Sequence, residues 1–478
     1  MTDSLARLVF PSLRWRRGSF EHERPKIDAA LTAGVGGFIV FGGTREAVAT
    51  LTRQLVAQAG RPLLVGADLE RGPAQQVQGL TELPSAAALG WLDDLDATAG
   101  CGMITATEAR SVGINWAFGP VCDLDIEPKN PIVGTRSFGA DPVRVGEQAA
   151  VWLRALQEHG VQGCAKHYPG HGRTIQDSHA TLPRVQVSAT ELQSVDGAPF
   201  EYAIRASVGS VMGAFVAYPG WDPSGRAATF SSEILGYLRT TLNFRGLVVT
   251  DALIMAGASA AQPVPAATVQ AVAAGCDALL YPESFEKVIA ALNRAVGAEI
   301  ATARADEALA HYDAALVSWG GDRPDQGEPD GAGHASVADG LADRVTHLVR
   351  GEPPRLTTPL AVSIVDDDLG GPYTIPPRDV FHRTLRDAGV SIVARATGNV
   401  RRVVLVYSEP RSWKGRADLG PASRDALRRL VPGAQLVVLF GHPRLAAQIP
   451  GKAPILLAWH GQALMQKAAG RWVVTRSR

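Results

Sequence analysis

The residues with the clearest chemical potential lie between Cys164 and His179. There Lys166, His167, His171, Asp177 and His179 are interrupted by Pro169, Gly170 and Gly172. Proline and glycine exclude a regular helix, so these side chains are expected on a loop leaving a strand. A loop so rich in ionisable groups is the pattern of an active site. Asp177 stands two residues before His179, close enough to fix the imidazole tautomer for general acid/base work. Asp251 follows the apolar run Val248-Val249-Thr250 and reads as an isolated carboxylate at a strand end, suited to nucleophilic attack.

Asp68, Arg136, Lys166 and His167 supply donors and acceptors for a polyhydroxylated ligand. A carboxylate nucleophile plus a separate proton donor is what retaining glycoside hydrolysis needs. A metal site built from His167, His171 and His179 ranks lower. The His167/His171 spacing chelates chiefly on a helix, which Pro169-Gly170 breaks, and no glutamate lies between them as a base. No metal is expected, and His171 reads as a buttress of the loop.

These groups need a scaffold. Near-continuous apolar runs recur at 36–41, 62–68, 115–121, 161–166, 210–215, 246–251 and 277–281, separated by helical patterns. Such runs indicate a parallel sheet covered on both faces. The predicted fold is α/β, a (β/α)8 TIM-type barrel, although an eighth strand is not evident. Asp68, Asp123, Lys166, His167 and Asp251 all fall at strand ends, which a barrel gathers on one face. Helix capping explains one such aspartate; several together with a histidine loop favour a shared site.

A Gly/Pro/Asp-rich stretch from Trp319 to Gly331 reads as an interdomain boundary. The expected division is a catalytic barrel over 1–318, a linker over 319–335 and a smaller α/β domain over 336–478. In that domain a helix around Val337–Val349 precedes strands at 360–365, 390–394, 403–407, 436–439 and 455–458, with a helix over Ser423–Leu430. They predict a small open parallel sheet without a glycine-rich phosphate fingerprint. Asp366-Asp367-Asp368, His442 and His460 sit at its strand ends as candidates for a contact with the site.

Lys+Arg and Asp+Glu are equal at 47 each, which gives no support for a nucleic-acid partner. Four scattered cysteines suggest reduced thiols. The first residues lack a basic segment followed by an apolar core, and no run approaches a membrane span. A cytoplasmic protein without membrane partners is expected, as monomer or homodimer.

At these residues the sequence resembles glycoside hydrolase family 3, specifically its β-N-acetylglucosaminidase branch. Lys166-His167-Tyr168-Pro169-Gly170-His171-Gly172 with Asp177-Ser178-His179 is similar to the branch signature KHFPGHG…DSH. Val248–Met255 resembles the nucleophile strand, Asn130–Gly139 the segment with the sugar-binding arginine, and Asp68–Gly72 the motif whose aspartate binds sugar hydroxyls. The resemblance implies that Asp251 attacks the anomeric carbon, that His179 held by Asp177 is the acid/base, and that Asp68, Arg136, Lys166 and His167 hold the sugar. It implies no cofactor.

The implied function is a retaining exo-β-N-acetylglucosaminidase acting on muropeptide or chitooligosaccharide fragments, with cell-wall recycling as its setting if the source is bacterial. A phosphorylase of the same family, a β-glucosidase-type enzyme and a non-catalytic glycan-binding relative are the alternatives. Ala252, Leu69, Arg71, Pro73 and Phe215 depart from the family pattern, which leaves the glycan open. Arg71 fits either an anionic substituent on the substrate or a solvated loop.

Overall fold

The computed structural model describes residues 5–259, 262–321, 328–371, 375–393 and 401–477. Its contacts divide the chain into two compact units. One comprises 1–81, 95–127 and 138–331; the other comprises 82–94, 128–137 and 332–478.

Among the described residues the first unit is built on nine short strands: β1 (Val9–Phe10), β2 (Ser12–Arg14), β3 (Gly37–Phe41), β4 (Leu64–Ala67), β5 (Trp116–Ala117), β6 (Gln162–Tyr168), β7 (Ser210–Gly213), β8 (Leu247–Thr250) and β9 (Leu279–Leu280). Strands β2 to β8 form one parallel sheet in chain order. A bridge between Val249 and Ala278 joins β8 to the entry of β9, and β9 pairs in parallel with β1. The pairings therefore run a full circuit, because β1 and β2 are one strand interrupted at Pro11. This is the eighth barrel position, which the sequence did not reveal. Proline removes a ladder donor and splits a run already too short to read as a strand.

The interior is packed with side chains, as barrels of this size require. Trp116 stacks edge-on against Phe10 at 5.3 Å and Phe118 at 5.0 Å, and its Nε1 donates to Ser210 Oγ at 2.8 Å. Phe10, from the split strand, is fully buried. Burial of one such ring stabilises by roughly 1.5–3 kcal/mol. Helices return the chain between strands; that over Pro142–Glu158 is set by Asp141, whose Oδ1 accepts from the N–H of Val143 and Arg144.

Among the described residues the second unit holds a six-stranded sheet: β10 (His347–Arg350), β11 (Leu360–Asp366), β12 (Ile392–Val393), β13 (Arg401–Ser408), β14 (Ala434–Gly441) and β15 (Ile455–Leu457). Its order is β10-β15-β14-β13-β11-β12. The predicted parallel sheet is present, with one addition: β10 pairs antiparallel with β15 on the edge. The helix Gly331–Val345 stops short of Val349, which belongs to β10. Part of the expected interdomain stretch (322–327) and of the expected strand at 390–394 (Ala394) lies outside the described residues. Among the described residues no helix is long and apolar enough to cross a membrane.

Candidate active site

Strand β6 is buried along its whole length and delivers Lys166 and His167 at its C-terminal end. Strands β4 and β8 stop one residue before Asp68 and Asp251 respectively. After β5 the chain keeps pairing with β6: Val121 bridges Lys166, and Cys122 N–H donates to the Lys166 carbonyl at 2.7 Å. That extension brings Asp123 beside His167.

Lys166 is nearly buried and its Nζ lies 2.8 Å from both Asp68 Oδ1 and Glu70 Oε1. His167 Nδ1 meets Asp123 Oδ2 at 2.6 Å, while Asp123 Oδ1 accepts from the backbone N–H of His167 at 3.1 Å and of His171 at 2.6 Å. Burial would raise the Asp123 carboxyl, but His167, His171 and these bonds outweigh it and lower its pKa to about 2. An ionised Asp123 accepts Nδ1–H, so His167 presents Nε2 to Asp251, 3.9 Å from Oδ2.

Asp251 shows the same balance. Burial would push it up, yet the charges of His167 and His179, the Ala252 N–H at 2.7 Å and Lys166 hold it below the ordinary carboxylate range. Asp251 is thus an ionised carboxylate with part of its surface open.

The loop after β6 carries the other half of the site. Asp177 Oδ1 accepts from both the backbone N–H and Nδ1 of His179, each at 2.8 Å. Asp177 is buried, and its Oδ2 has no hydrogen-bond partner among the described residues. His179 is half exposed and turns Nε2 away from Asp177. The loop also meets the segment following Asp251: Gly257 N–H donates to the Ser178 carbonyl at 3.0 Å, and Ala256 N–H lies 3.4 Å from the His179 carbonyl. At Gly172 a Cβ would stand 2.1 Å from the Leu124 carbonyl oxygen, so only glycine fits where the loop crosses the chain beyond Asp123.

The structure brings together six of the seven residues singled out from sequence: Asp68 with Lys166, His167 with Asp251, and His179 with Asp177. Arg136 groups with the second unit, on the turn Gly134–Arg136, where its Nη1 lies 3.3 Å from the Ile132 carbonyl. Sequence reasoning missed two residues. Glu70 was only part of a motif, although it is the second carboxylate on Lys166. Asp123 was noted as a strand-end aspartate, but its partner His167 is 44 positions away. The three histidines turn to different partners, and no group of three potential ligands is placed to hold a metal among the described residues.

The strand-end candidates of the second unit are occupied within that unit. Lys414 Nζ lies 2.7 Å from Asp368 and 3.3 Å from Asp367, and Arg378 pairs with Asp366 and Asp368 at 2.8 and 2.9 Å. His460 Nε2 lies 3.1 Å from Glu409, and His442 Nδ1 accepts from Arg444 N–H at the start of a short turn of helix.

A profile described as the glycosyl hydrolase family 3 N-terminal domain matches residues 7–313. The chain is 33% identical over 352 residues to a protein of Cellulomonas fimi named β-N-acetylglucosaminidase/β-glucosidase; the match covers 69% of this chain and 62% of that protein. A β-hexosaminidase of Neisseria meningitidis serogroup B is 34% identical over 273 residues, which is 54% of this chain and 74% of that one. A solved family 3 β-N-acetylglucosaminidase from Paenibacillus sp. str. FPU-7 superposes with a TM-score of 0.85 at 25% identity, covering 100% of this chain and 97% of that chain. The chain belongs to glycosyl hydrolase family 3.

Proposed function

We propose that the protein is a retaining exo-β-N-acetylglucosaminidase that releases terminal β-linked N-acetylhexosamine from muropeptide or chitooligosaccharide fragments. The observation that carries this reading is the pairing of an ionised Asp251 with an Asp177-bound imidazole on an adjoining loop. The names of the Cellulomonas, Neisseria and Paenibacillus relatives support the substrate class.

In this reading Asp251 attacks the anomeric carbon while His179 Nε2–H protonates the leaving oxygen. The glycosyl-enzyme forms as the aglycone departs. His179, now without its Nε2 proton, takes one from water, and that water displaces Asp251 with a second inversion. Asp177 keeps Nδ1 protonated in both steps and compensates the imidazolium. His167, aligned by Asp123, and Lys166, held between Asp68 and Glu70, bind sugar hydroxyls beside the nucleophile. Arg136 takes the sugar-binding role that its motif implies.

Turnover of a chromogenic N-acetyl-β-glucosaminide by the wild type, Asp251→Ala and His179→Ala tests the assignment. Abolished turnover in Asp251→Ala is expected. Unchanged turnover removes the nucleophile.

One observation favours a second acceptor. The proton-transfer group is an imidazole, 43% exposed, rather than a carboxylate. An imidazole does not repel phosphate as a carboxylate does. If phosphate accelerates turnover and a sugar 1-phosphate accumulates, the glycosyl group passes to phosphate instead of water.

A further inference from the structure

We propose that His171 is a positioning residue that sets the acid/base His179, by pinning together the two ends of the loop between them. The proposal rests on the reading of His179 as the proton donor. His171 is buried and touches two hydroxyls, Thr174 Oγ1 at 2.8 Å from Nδ1 and Ser178 Oγ at 2.9 Å from Nε2.

A neutral imidazole has one N–H and one bare nitrogen, so it donates to one of these hydroxyls and accepts from the other, and both ring atoms are satisfied. Burial favours that neutral form and lowers the His171 pKa to about 4, against the pull of Asp123.

His171 is itself anchored, because its backbone N–H donates to Asp123 Oδ1. The preceding residue is held as well: Tyr218 Oη–H donates to the Gly170 carbonyl at 2.7 Å. The ring therefore links Ser178, which lies between Asp177 and His179, to a stretch of chain held by Asp123 and Tyr218. Between the pinned ends the Ile175 side chain is 62% exposed. Loss of the Nε2 bond leaves Ser178 without its side-chain anchor, and loss of the Nδ1 bond frees the ring that carries it; either lets the dyad drift from the glycosidic oxygen. Proton donation is sensitive to such drift. Nucleophilic attack by Asp251, from β8, is not.

The experiment compares kcat/KM across a series of β-N-acetylglucosaminides whose leaving groups fall in basicity, from alkyl to dinitrophenyl. An alkyl leaving group requires protonation and a dinitrophenolate does not. His171→Ala is expected to lose at least about tenfold more on the alkyl glycoside than on the dinitrophenyl glycoside. The ceiling is the roughly 10²–10⁴-fold that a placed proton donor supplies. Ser178→Ala removes only the hydroxyl on Nε2; it should show the same selectivity to a smaller degree, and it decides the matter if His171→Ala does not fold. An equal loss on every leaving group, or no loss, in the folded variant overturns the proposal. His179→Ala separates the two levels. If it lacks leaving-group selectivity, the acid/base reading fails and the proposal with it. If it shows selectivity and the His171 and Ser178 variants do not, only the proposal fails.

Discussion

His167 Nε2 stands 3.9 Å from Asp251 Oδ2, while the opposite nitrogen of the same ring is bound to Asp123 at 2.6 Å. The imidazole thus links a buried carboxylate to a partly open one. In the proposed mechanism Asp123 orients the ring and Asp251 reacts.

Asp123→Asn tests this link. The amide retains an acceptor for the backbone N–H groups but cannot match the ionised partner of Nδ1. A hydrogen bond to a charged group contributes roughly 1.5–3 kcal/mol, and about 1.4 kcal/mol is tenfold in rate. Hydrolysis of an N-acetyl-β-glucosaminide is expected to fall by roughly 10–100-fold in kcat/KM. An unchanged rate would mean that His167 does not depend on this carboxylate.

Lys166 balances Asp68 and Glu70 in a nearly buried position. Lys166→Met leaves two carboxylates facing each other. Removing one partner of a buried ion pair costs up to about 3–5 kcal/mol, and less here because Asp68 is 31% exposed. The urea midpoint should fall, and adding Glu70→Gln should recover part of the loss. A midpoint equal to that of the wild type contradicts the pairing.

Gly257 sits where the segment after Asp251 meets the histidine loop. A Cβ there would lie 2.9 Å from both the Ser178 carbonyl oxygen and Phe215 Cβ. Gly257→Ala is expected to lose about 1–3 kcal/mol through overpacking, read as a lower denaturation midpoint, together with reduced turnover. Full activity and stability would show that the two segments yield without cost.

The sign of the pH dependence follows from His171. Its pKa is about 4 in the folded chain against 6.5 for the free side chain, so the unfolded state binds more protons between these values. The stabilisation is complete above pH 6.5 and is lost as pH falls towards 4, roughly 3 kcal/mol in all. Asp196, raised to about 6 by burial despite its pairing with Arg173, acts in the opposite direction over pH 6 to 3.8. The difference between wild type and His171→Gln isolates the histidine. Urea midpoints from pH 7 to 4 should decline less in the variant; parallel declines contradict a buried neutral ring.

Seven barrel strands were legible because parallel strands buried on both faces are apolar throughout, and that pattern survives in isolation from tertiary context. The strand Val9–Arg14 was not, since Pro11 divides it into pieces of two and three residues. The histidine loop announced itself by composition. Asp123 did not, because its meaning depends on a β5 extension that pairs with β6 and on a partner distant in sequence. The function of Glu70 likewise appears only once Lys166 reaches across from another strand. Local patterns specify elements; contacts between elements specify which polar residue serves which.

Identification of the covalent intermediate tests the central claim most directly. The protein is incubated with a fluorinated N-acetylglucosaminyl donor that loads quickly and hydrolyses slowly, then digested and mapped by mass. One glycosyl adduct on Asp251 is predicted, absent from Asp251→Ala. An adduct on another side chain, or steady turnover by Asp251→Ala without any adduct, contradicts the account.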